Sequence, residues 1–135
     1  MAVILASRDL PVTLLVRSQP EAQELNGRRE QSRFLPGVTF PESLTVDCDV
    51  ERVISPAELI VLAVPSDRAR QNISQISAAI PSGATILSAA KGLELPQGKR
   101  MSQVMEEELP AHLHPGICVL SGPNLAKEII QGKLS

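Results

Sequence analysis

Short apolar runs rich in valine, isoleucine and leucine recur along the chain, separated by helical patterns or by turns that contain proline and glycine. The clearest run, 59–64, has no polar residue and ends at Pro65. Uniformly apolar runs of this length are typical of strands that are buried on both faces of a parallel sheet. The pattern therefore predicts strands at 12–16, 44–46, 59–64, 84–88 and 117–120.

Between these runs, the apolar residues recur at helical spacing. Residues 66–80 place three isoleucines on one face, and residues 98–109 place two methionines, a valine and a leucine on another. Ser66 and Asp67 are candidate N-cap residues for the first of these helices. We also expect a helix over 20–30, a loop over 31–43 and a last helix capped by Asn124. Residues 2–8 are expected to be the second half of a longer helix.

Strands that alternate with helices over short connections indicate an α/β fold, a Rossmann-like doubly wound parallel sheet. A complete strand–helix–strand unit takes about 30 residues, but only 16 residues precede Arg17, which follows the first predicted strand. We therefore expect residues 1–135 to form an incomplete domain. Its first strand and glycine-rich loop would be missing at the start, and its last helix would have only begun at the end.

Composition narrows the function classes. The formal net charge is −2, and the aromatic residues are Phe34 and Phe40, so neither a basic surface nor a stacking platform for nucleic acid is expected. Arg28, Arg29 and Arg33 lie among glutamates, a pattern that favours a solvated helix face over a phosphate site. No apolar stretch approaches the roughly 18 residues of a membrane span.

The metal-binding residue types are sparse. Cys48 and Cys118 stand far apart and match no metal spacing. We expect both to be buried reduced thiols, which points to the cytoplasm. His112 and His114 form an H-x-H pair without a cysteine or acidic partner nearby, so a solvated loop is favoured over a metal site.

Ligands of open parallel sheets bind outside the carboxyl ends of the strands. Arg17 follows the first predicted strand, where the second strand of a Rossmann fold meets the adenosine ribose. An acidic residue there would favour a free 2′-hydroxyl, whereas arginine can accept a 2′-phosphate or lie against adenine. The pattern alone is equally compatible with an arginine that faces solvent.

Two further strand ends carry candidate chemistry. Lys91 precedes Gly92, whose flexible backbone would let the loop approach a ligand closely; a surface lysine on a turn fits the spacing equally well. Residues 121–124 form a tight turn before a helix start, where free N–H groups can bind an anion. Asn124 could instead serve only as the helix cap.

Four segments, in this order and at suitable distances, resemble one family, the soluble NAD(P)-dependent glycerol-3-phosphate dehydrogenases of bacterial or cyanobacterial type. The second segment is generic among Rossmann-type dehydrogenases, whereas the combination of the other three is specific. The resemblance covers nearly the whole chain and identifies it as part of the N-terminal NAD(P)-binding domain. The segments are Arg-Phe-Leu-Pro-Gly at 33–37, Leu-Ala-Val-Pro-Ser at 62–66, Ala-Ala-Lys-Gly-Leu-Glu at 89–94 and Leu-Ser-Gly-Pro-Asn-Leu-Ala-Lys-Glu at 120–128.

The resemblance implies an oxidoreductase that interconverts dihydroxyacetone phosphate and sn-glycerol 3-phosphate with NAD or NADP, a step that feeds glycerophospholipid synthesis. It implies a small-molecule substrate, and it is compatible with a homodimer of the full-length form. By position, it implies that Arg17 and Phe34 lie at the adenosine end of the cofactor, that Lys91 contacts both the nicotinamide side and the substrate, that Gly122 and Asn124 contact the substrate, and that Ala126 contacts the cofactor.

The departures from the family pattern bear on activity. The family's glycine-rich loop would precede residue 1, and its catalytic lysine would lie in a helical domain beyond Ser135, so we expect no catalytic residue within this chain and doubt that it is active alone. Two other interpretations remain open from the sequence. One is a non-catalytic Rossmann-type binding module. The other is a fragment of another Rossmann dehydrogenase, such as a hydroxyacid or ketopantoate enzyme.

Overall fold

The computed structural model describes residues 1–33 and 35–122. They divide into two compact units, the first unit over 1–49 and the second unit over 50–122. Each unit has its own parallel sheet, with two strands in the first unit and three in the second. The α/β class and the parallel strands are confirmed, and the strands are shared between two sheets.

The first unit is one strand–helix–strand crossover preceded by a short helix. Its elements are α1 (Ala2–Ala6), β1 (Val12–Leu15), α2 (Gln19–Arg28) and β2 (Leu44–Asp47). β1 and β2 pair in parallel, with Val12 opposite Leu44 and Leu15 opposite Asp47. The sheet packs against α1 and α2 around a small core formed by Ala6, Ala22, Leu25, Phe40, Leu44 and Val46.

The limits of α2 follow from its terminal residues. Ser18 is the N-cap, and its hydroxyl accepts a hydrogen bond from the Glu21 backbone N–H at 3.4 Å. Pro20 lies in the first turn, where its missing N–H costs no helical hydrogen bond. Arg29 ends the helix in the left-handed conformation, with φ of 55°.

The second unit contains two further crossovers. Its elements are α3 (Val50–Ile54), β3 (Leu59–Leu62), α4 (Ser66–Ile76), β4 (Thr85–Ser88), α5 (Met101–Glu108) and β5 (Ile117–Val119), with 3₁₀ turns at Ser77–Ala79 and Ala111–Gly116. The strands pair in parallel in the order β3-β4-β5. The alternation of helices and strands predicted from the sequence is thus confirmed in both units.

The core of the second unit is aliphatic. Ile86 on β4 is fully buried, and so are Val104 and Met105 on α5. Helix α4 contributes Ala69, Ile73 and Ile76, whose spacing puts them on one face. The expectation that the methionines are core residues is confirmed, and so is the shared buried face for Ile73 and Ile76. The third predicted member of that face, Ile80, is buried but follows the 3₁₀ turn in an extended conformation.

Several boundaries differ from the sequence-based predictions. Helix α3 was not predicted. Helix α4 begins at Ser66 with Pro65 as the N-cap and no side-chain cap bond, so the prediction that Ser66 and Asp67 cap this helix is wrong. The helix also ends at Ile76, before a 3₁₀ turn, because Pro81 and Gly83 lie too close for it to continue. The predicted last helix and its cap Asn124 lie outside the described residues.

The prediction that both cysteines are buried is wrong. Both are free thiols, but Cys118 is exposed on the short strand β5 and Cys48 is partly exposed. The Cys48 thiol donates to Gln19 Oε1 at 3.1 Å. Within the described part of the chain, no helix has the length and apolar character needed to cross a membrane.

Candidate functional site

The three strands of the second unit end side by side. The register places Leu62 beside Ser88 and Ser88 beside Val119. Pairing continues one residue further, because the Ala89 N–H donates to the Leu62 carbonyl at 2.9 Å and the Leu120 N–H donates to the Ser88 carbonyl at 2.8 Å. The segments that follow these strands therefore leave the sheet at one edge, which is where ligands of such sheets bind.

The loop after β4 approaches the start of α4. Gly92 adopts φ of +92°, a left-handed conformation that side-chain-bearing residues rarely adopt. A Cβ atom at this position would lie 3.5 Å from Ser66 Oγ. Gly92 thus turns the chain over the first residue of α4 and brings two of the predicted strand ends, those at Ser66 and Lys91, close together.

Lys91 lies on the exposed side of this turn, whereas the strand end below it is buried. Ser88 has 2% of its surface exposed, and its hydroxyl accepts a hydrogen bond from the Ala90 N–H at 3.4 Å. The Lys91 residue is exposed. Gly122 is also exposed, after the end of β5. The structure therefore puts Lys91 and Gly122 at the same sheet edge, each accessible from solvent.

The rest of the Lys91 loop folds back on itself. The Glu94 N–H donates to the Lys99 carbonyl at 2.9 Å, and the Gly98 N–H donates to the Glu94 carbonyl at 2.8 Å. The resulting small antiparallel bridge between Glu94 and Lys99 closes the segment. We call residues 89–99 the lysine loop.

An ion-pair cluster ties the lysine loop to two helices. Arg70 on α4 holds Glu94 with two parallel hydrogen bonds, Nε to Oε1 at 2.6 Å and Nη2 to Oε2 at 2.7 Å. The same guanidinium binds Glu107 at 2.7 Å and Glu108, both on α5. Lys99 contributes a second cation, 2.6 Å from the Glu107 carboxylate. We call these five residues the Arg70 cluster.

Three members of the Arg70 cluster have pKa values that are displaced in the direction of mutual stabilisation. Hydrogen bonds to Glu94, Glu107 and Glu108 raise the pKa of the Arg70 guanidinium. The hydrogen bond from Arg70 lowers the pKa of Glu94, and hydrogen bonds from Lys99 and then Arg70 lower the pKa of Glu107. These shifts favour the charged forms of Arg70, Glu94 and Glu107 at neutral pH.

Sequence reasoning missed this cluster. The run of glutamates at 106–108 and the arginine on α4 are visible in the sequence, but Arg70 and Glu94 are 24 positions apart. A pairing over that distance depends on how α4 and the lysine loop pack. The available signal was the Glu94 position at the end of the third family-like segment, to which no role was given.

In the first unit, Arg17 follows β1 and is exposed, as predicted for a strand-end residue. Its backbone N–H donates to Glu21 Oε2 at 3.3 Å. At the neighbouring strand end, Asp47 Oδ1 accepts the N–H groups of Cys48 at 2.7 Å and Asp49 at 3.0 Å. The carboxyl edge of the first sheet thus carries Arg17 after β1 and an acidic turn after β2.

The two arginines at the end of α2 have different roles. Arg28 is exposed and pairs with Glu24 at 3.0 Å, as expected for a solvated helix face. Arg29 does not face solvent in this way. Its guanidinium donates to the backbone carbonyls of Leu44 at 2.9 Å, Phe40 at 3.3 Å and Pro41 at 2.5 Å. The expectation of a solvated face is therefore wrong for Arg29.

A cavity of about 270 Å³ lies at the other edge of the second sheet, lined by residues 55–58 and 81–84. These residues precede β3 and β4, so the cavity is at the amino ends of the strands, away from Lys91. Its lining has one charged residue, Glu58. Position and chemistry both argue against a dinucleotide site there.

Histidines and cysteines form no metal centre in the part of the chain that the structure describes. No group of three His, Cys, Asp or Glu residues there could hold a metal ion. The His114 ring is within hydrogen-bond distance of the Leu109 carbonyl, at 2.9 Å, and His112 is exposed. Phe34, Asn124 and Ala126, three of the predicted site residues, lie outside the described residues.

Comparison with known proteins agrees with the resemblance read from the four segments. A glycerol-3-phosphate dehydrogenase (NAD(P)+) of Dehalococcoides mccartyi is 42% identical over 133 residues, which are 98% of this chain and 37% of that protein. One of Chlorobium limicola is 40% identical over 129 residues, 96% of this chain and 39% of that protein. The chain thus spans less than half of the length of these relatives.

A solved structure gives the same result. The crystal structure of glycerol-3-phosphate dehydrogenase from Coxiella burnetii matches with a TM-score of 0.82 and 27% identity, over 96% of this chain and 39% of that chain. The family model described as NAD-dependent glycerol-3-phosphate dehydrogenase N-terminus matches residues 1–135. Membership of a different Rossmann dehydrogenase family is thereby excluded, and the chain belongs to the family of NAD-dependent glycerol-3-phosphate dehydrogenases, as part of their N-terminal region.

Proposed function

We propose that this chain forms the dinucleotide-binding part of an NAD(P)-dependent sn-glycerol-3-phosphate dehydrogenase. The observation that supports this most directly is that the three strands of the second sheet end side by side, at an edge where Lys91 and Gly122 are both exposed. An exposed ammonium at a strand end suits an anionic ligand, and both the dinucleotide and a triose phosphate are anions. The donor chemistry of the edge therefore fits the cofactor and the substrate of the family.

We assign Lys91 to two contacts, with the nicotinamide side of the cofactor and with the substrate. In this proposal, its ammonium stabilises negative charge that develops on the substrate oxygen as the carbonyl is reduced. Gly122 and Asn124 would line the substrate position at the end of β5. Because Gly122 lacks a side chain, it leaves room at the edge beside Lys91.

At the carboxyl edge of the first sheet, Arg17 is proposed to contact the adenosine end of the cofactor. Its planar guanidinium can stack on adenine or pair with a 2′-phosphate, so it is compatible with NAD or NADP. Phe34 is proposed to line the same region, and Ala126 to contact the cofactor. The assignments of Phe34 and Ala126 rest on their positions in the family-like segments, and that of Arg17 rests on its position after the first strand.

When bound, the reduced nicotinamide supplies a hydride to the carbonyl carbon of dihydroxyacetone phosphate. Within this chain, Lys91 orients the substrate and stabilises the oxygen. We assign no proton-donating residue to this chain, so residues 1–135 bind and orient. The full-length form is proposed to act in the cytoplasm, as a homodimer, on this small-molecule substrate, with no nucleic-acid partner and no membrane span.

A segment replacement tests the proposal. The 133 aligned residues of the Dehalococcoides mccartyi relative are exchanged for those of this chain, giving what we call the spliced enzyme, with the unaltered relative as the positive control. Oxidation of NADH or NADPH is followed with dihydroxyacetone phosphate. We expect activity, and we expect Lys91→Ala to lower kcat/KM by about 100-fold because an electrostatic contact to the reacting oxygen is lost.

The matched control is Arg68→Gln, a loss of one positive charge on α4, where the Arg68 side chain is 61% exposed. It should change kcat/KM by less than about 2-fold, since exposed charges contribute little. A folded spliced enzyme that oxidises neither cofactor contradicts the proposed function. Full activity in Lys91→Ala contradicts the role given to Lys91.

A further inference from the structure

We infer that Arg70 is a positioning residue for Lys91, acting through Glu94. This inference rests on the proposed function, because it concerns the same site. Lys91 and Glu94 are on one short loop, and Arg70 takes both oxygens of the Glu94 carboxylate, at 2.6 and 2.7 Å. A two-point contact of this kind fixes orientation as well as distance.

Only two residues separate Lys91 from Glu94, the residue of the loop that Arg70 binds. From Glu94, the chain passes through Leu93 to Gly92, which adopts a left-handed turn close to Ser66. Lys91 is the next residue. Since Glu94 is held by two hydrogen bonds and the turn at Gly92 passes close to Ser66, rotation of the segment would have to break the Arg70–Glu94 contacts.

Arg70 itself is held in place. Its neighbour Ala69 is 2% exposed in the core, so the helix turn that carries Arg70 cannot shift freely. On the other side of the guanidinium, Glu107 and Glu108 bind it from α5. The Arg70 side chain therefore bridges two packed helices before it reaches the lysine loop.

Among the carboxylates of the Arg70 cluster, Glu94 would be destabilised most by the absence of Arg70. Its side chain is 12% exposed, against 41% for Glu107. Without Arg70, the Glu94 carboxylate would face the Glu107 and Glu108 carboxylates with Lys99 as the remaining cation of the cluster. Repulsion and poor solvation would drive the carboxylate towards solvent and turn the lysine loop with it.

The two leucines beside Glu94 show that burial of apolar surface does not hold the loop. Leu93 is 49% exposed and Leu95 is 79% exposed, whereas the glutamate between them points into the cluster. Polar contacts therefore hold this part of the loop, and the Arg70–Glu94 pair is the contact that joins it to α4. Arg70 therefore affects the position of Lys91 through Glu94, without a need for direct contact.

A double-mutant cycle in the spliced enzyme tests the inference. Arg70→Lys keeps the charge but cannot make the two-point contact, and we expect it to lower kcat/KM by about 10-fold through misplacement of Lys91. In a Lys91→Ala background the same substitution should cost less than about 2-fold, because there is no ammonium left to misplace. Arg68→Lys, two positions away, is the control and should be silent in both backgrounds.

A structural role for Arg70 gives a different result, since general loosening would lower kcat/KM by the same factor in both backgrounds. Equal factors therefore overturn the inference. If Lys91→Ala alone is silent, the role proposed for Lys91 fails first, and the positioning role falls with it. If Arg70→Lys folds poorly, Glu94→Gln takes its place in the same double-mutant cycle. In both variants, the hydrogen exchange of residues 89–95 should be faster than in the spliced enzyme. Unchanged exchange also overturns the inference.

Discussion

Two arginines, one in each unit, organise their surroundings in different ways. Arg29 in the first unit donates to three backbone carbonyls, at 2.9, 3.3 and 2.5 Å. Arg70 in the second unit binds three carboxylates. The first fastens the chain just before and at the start of β2, and the second fastens the lysine loop to α4 and α5. The Arg29 guanidinium thus holds backbone segments together, whereas the Arg70 guanidinium holds the lysine loop against two helices.

The difference in partner determines what each arrangement responds to. Carbonyl oxygens do not titrate, so the contacts of Arg29 persist over a wide pH range. Carboxylates titrate and can turn away, so the contacts of Arg70 depend on pH and on neighbouring charges. We conclude that the contacts of Arg29 at β2 do not depend on the titration of their partners, whereas the contacts that Arg70 makes with the lysine loop do.

A second contact in the first unit follows the same rule as Arg29. The Asn26 side chain donates to the Val46 carbonyl at 2.7 Å and accepts from the Val46 N–H at 3.0 Å. This amide occupies backbone groups of β2 that a further strand would otherwise use. A two-stranded sheet has few ladder bonds of its own, so such side-chain contacts carry a large share of its stability.

The largest effect is expected from a substitution in the packing of the second unit. A Cβ atom added at Gly116 would lie 2.3 Å from the backbone carbonyl oxygen of Ala84. Because that oxygen belongs to the chain leading into β4, it cannot move aside cheaply. Gly116→Ala should cost at least about 3 kcal/mol of unfolding free energy, measured by urea denaturation. Hydrogen exchange should rise across 84–88 and 117–119.

The control for this prediction lies in the first unit. Gly27 is within α2, and no heavy atom lies within 4 Å of the position of an added Cβ. Gly27→Ala should therefore raise the free energy of unfolding by about 0.5–1 kcal/mol, the gain of alanine over glycine in a helix. If the two substitutions have the same sign, the packing argument for Gly116 is wrong.

An intermediate effect is expected from Arg29→Gln. Loss of the guanidinium leaves the carbonyls at the start of β2 without their charged donor, which should cost about 2–3 kcal/mol. Exchange at 44–47 should rise while the lysine loop keeps its protection. Arg28→Gln removes the neighbouring exposed pair with Glu24 and should cost less than about 0.5 kcal/mol. Equal costs for the two would place Arg29 on the solvated face.

Features that arise from residues close together in the sequence were predictable, whereas contacts between residues far apart in the sequence were not. The strands and the buried faces of α4 and α5 followed from local apolar spacing, since parallel strands and their covering helices leave that imprint. The cap of α4 was misplaced by one position, because Pro65 takes the N-cap and Ser66 becomes the first helical residue.

The two arginines could not have been separated by local pattern. Arg29 was grouped with Arg28 because both lie among glutamates, but its left-handed conformation ends the helix and turns its side chain towards β2. Arg70 and Glu94 meet only when α4 packs beside the lysine loop. The placement of Lys91 at a strand end was predictable, whereas the contacts that hold its loop were not.

The smallest effect, and the sharpest test of the comparison, is the response to acid. The pKa values of Glu94 and Glu107 are lowered in the folded chain from an ordinary value of 4.5. Their contribution is therefore complete above about pH 4.5 and is lost as the pH falls through the lowered values. The carbonyl contacts of Arg29 have no corresponding loss in this window.

Because the chain contains no tryptophan, one reporter can be placed in each unit. Leu95→Trp reports on the lysine loop, where this side chain is 79% exposed, and Leu10→Trp reports on the first unit, where it is 50% exposed. We expect the fluorescence anisotropy at position 95 to fall below about pH 4.5 while that at position 10 stays level. Adding Glu94→Gln should remove most of the pH dependence at position 95, since the charge that acid would neutralise is already gone. A parallel fall at both positions would mean that acid unfolds the chain as a whole, and that the two units do not differ in what holds them.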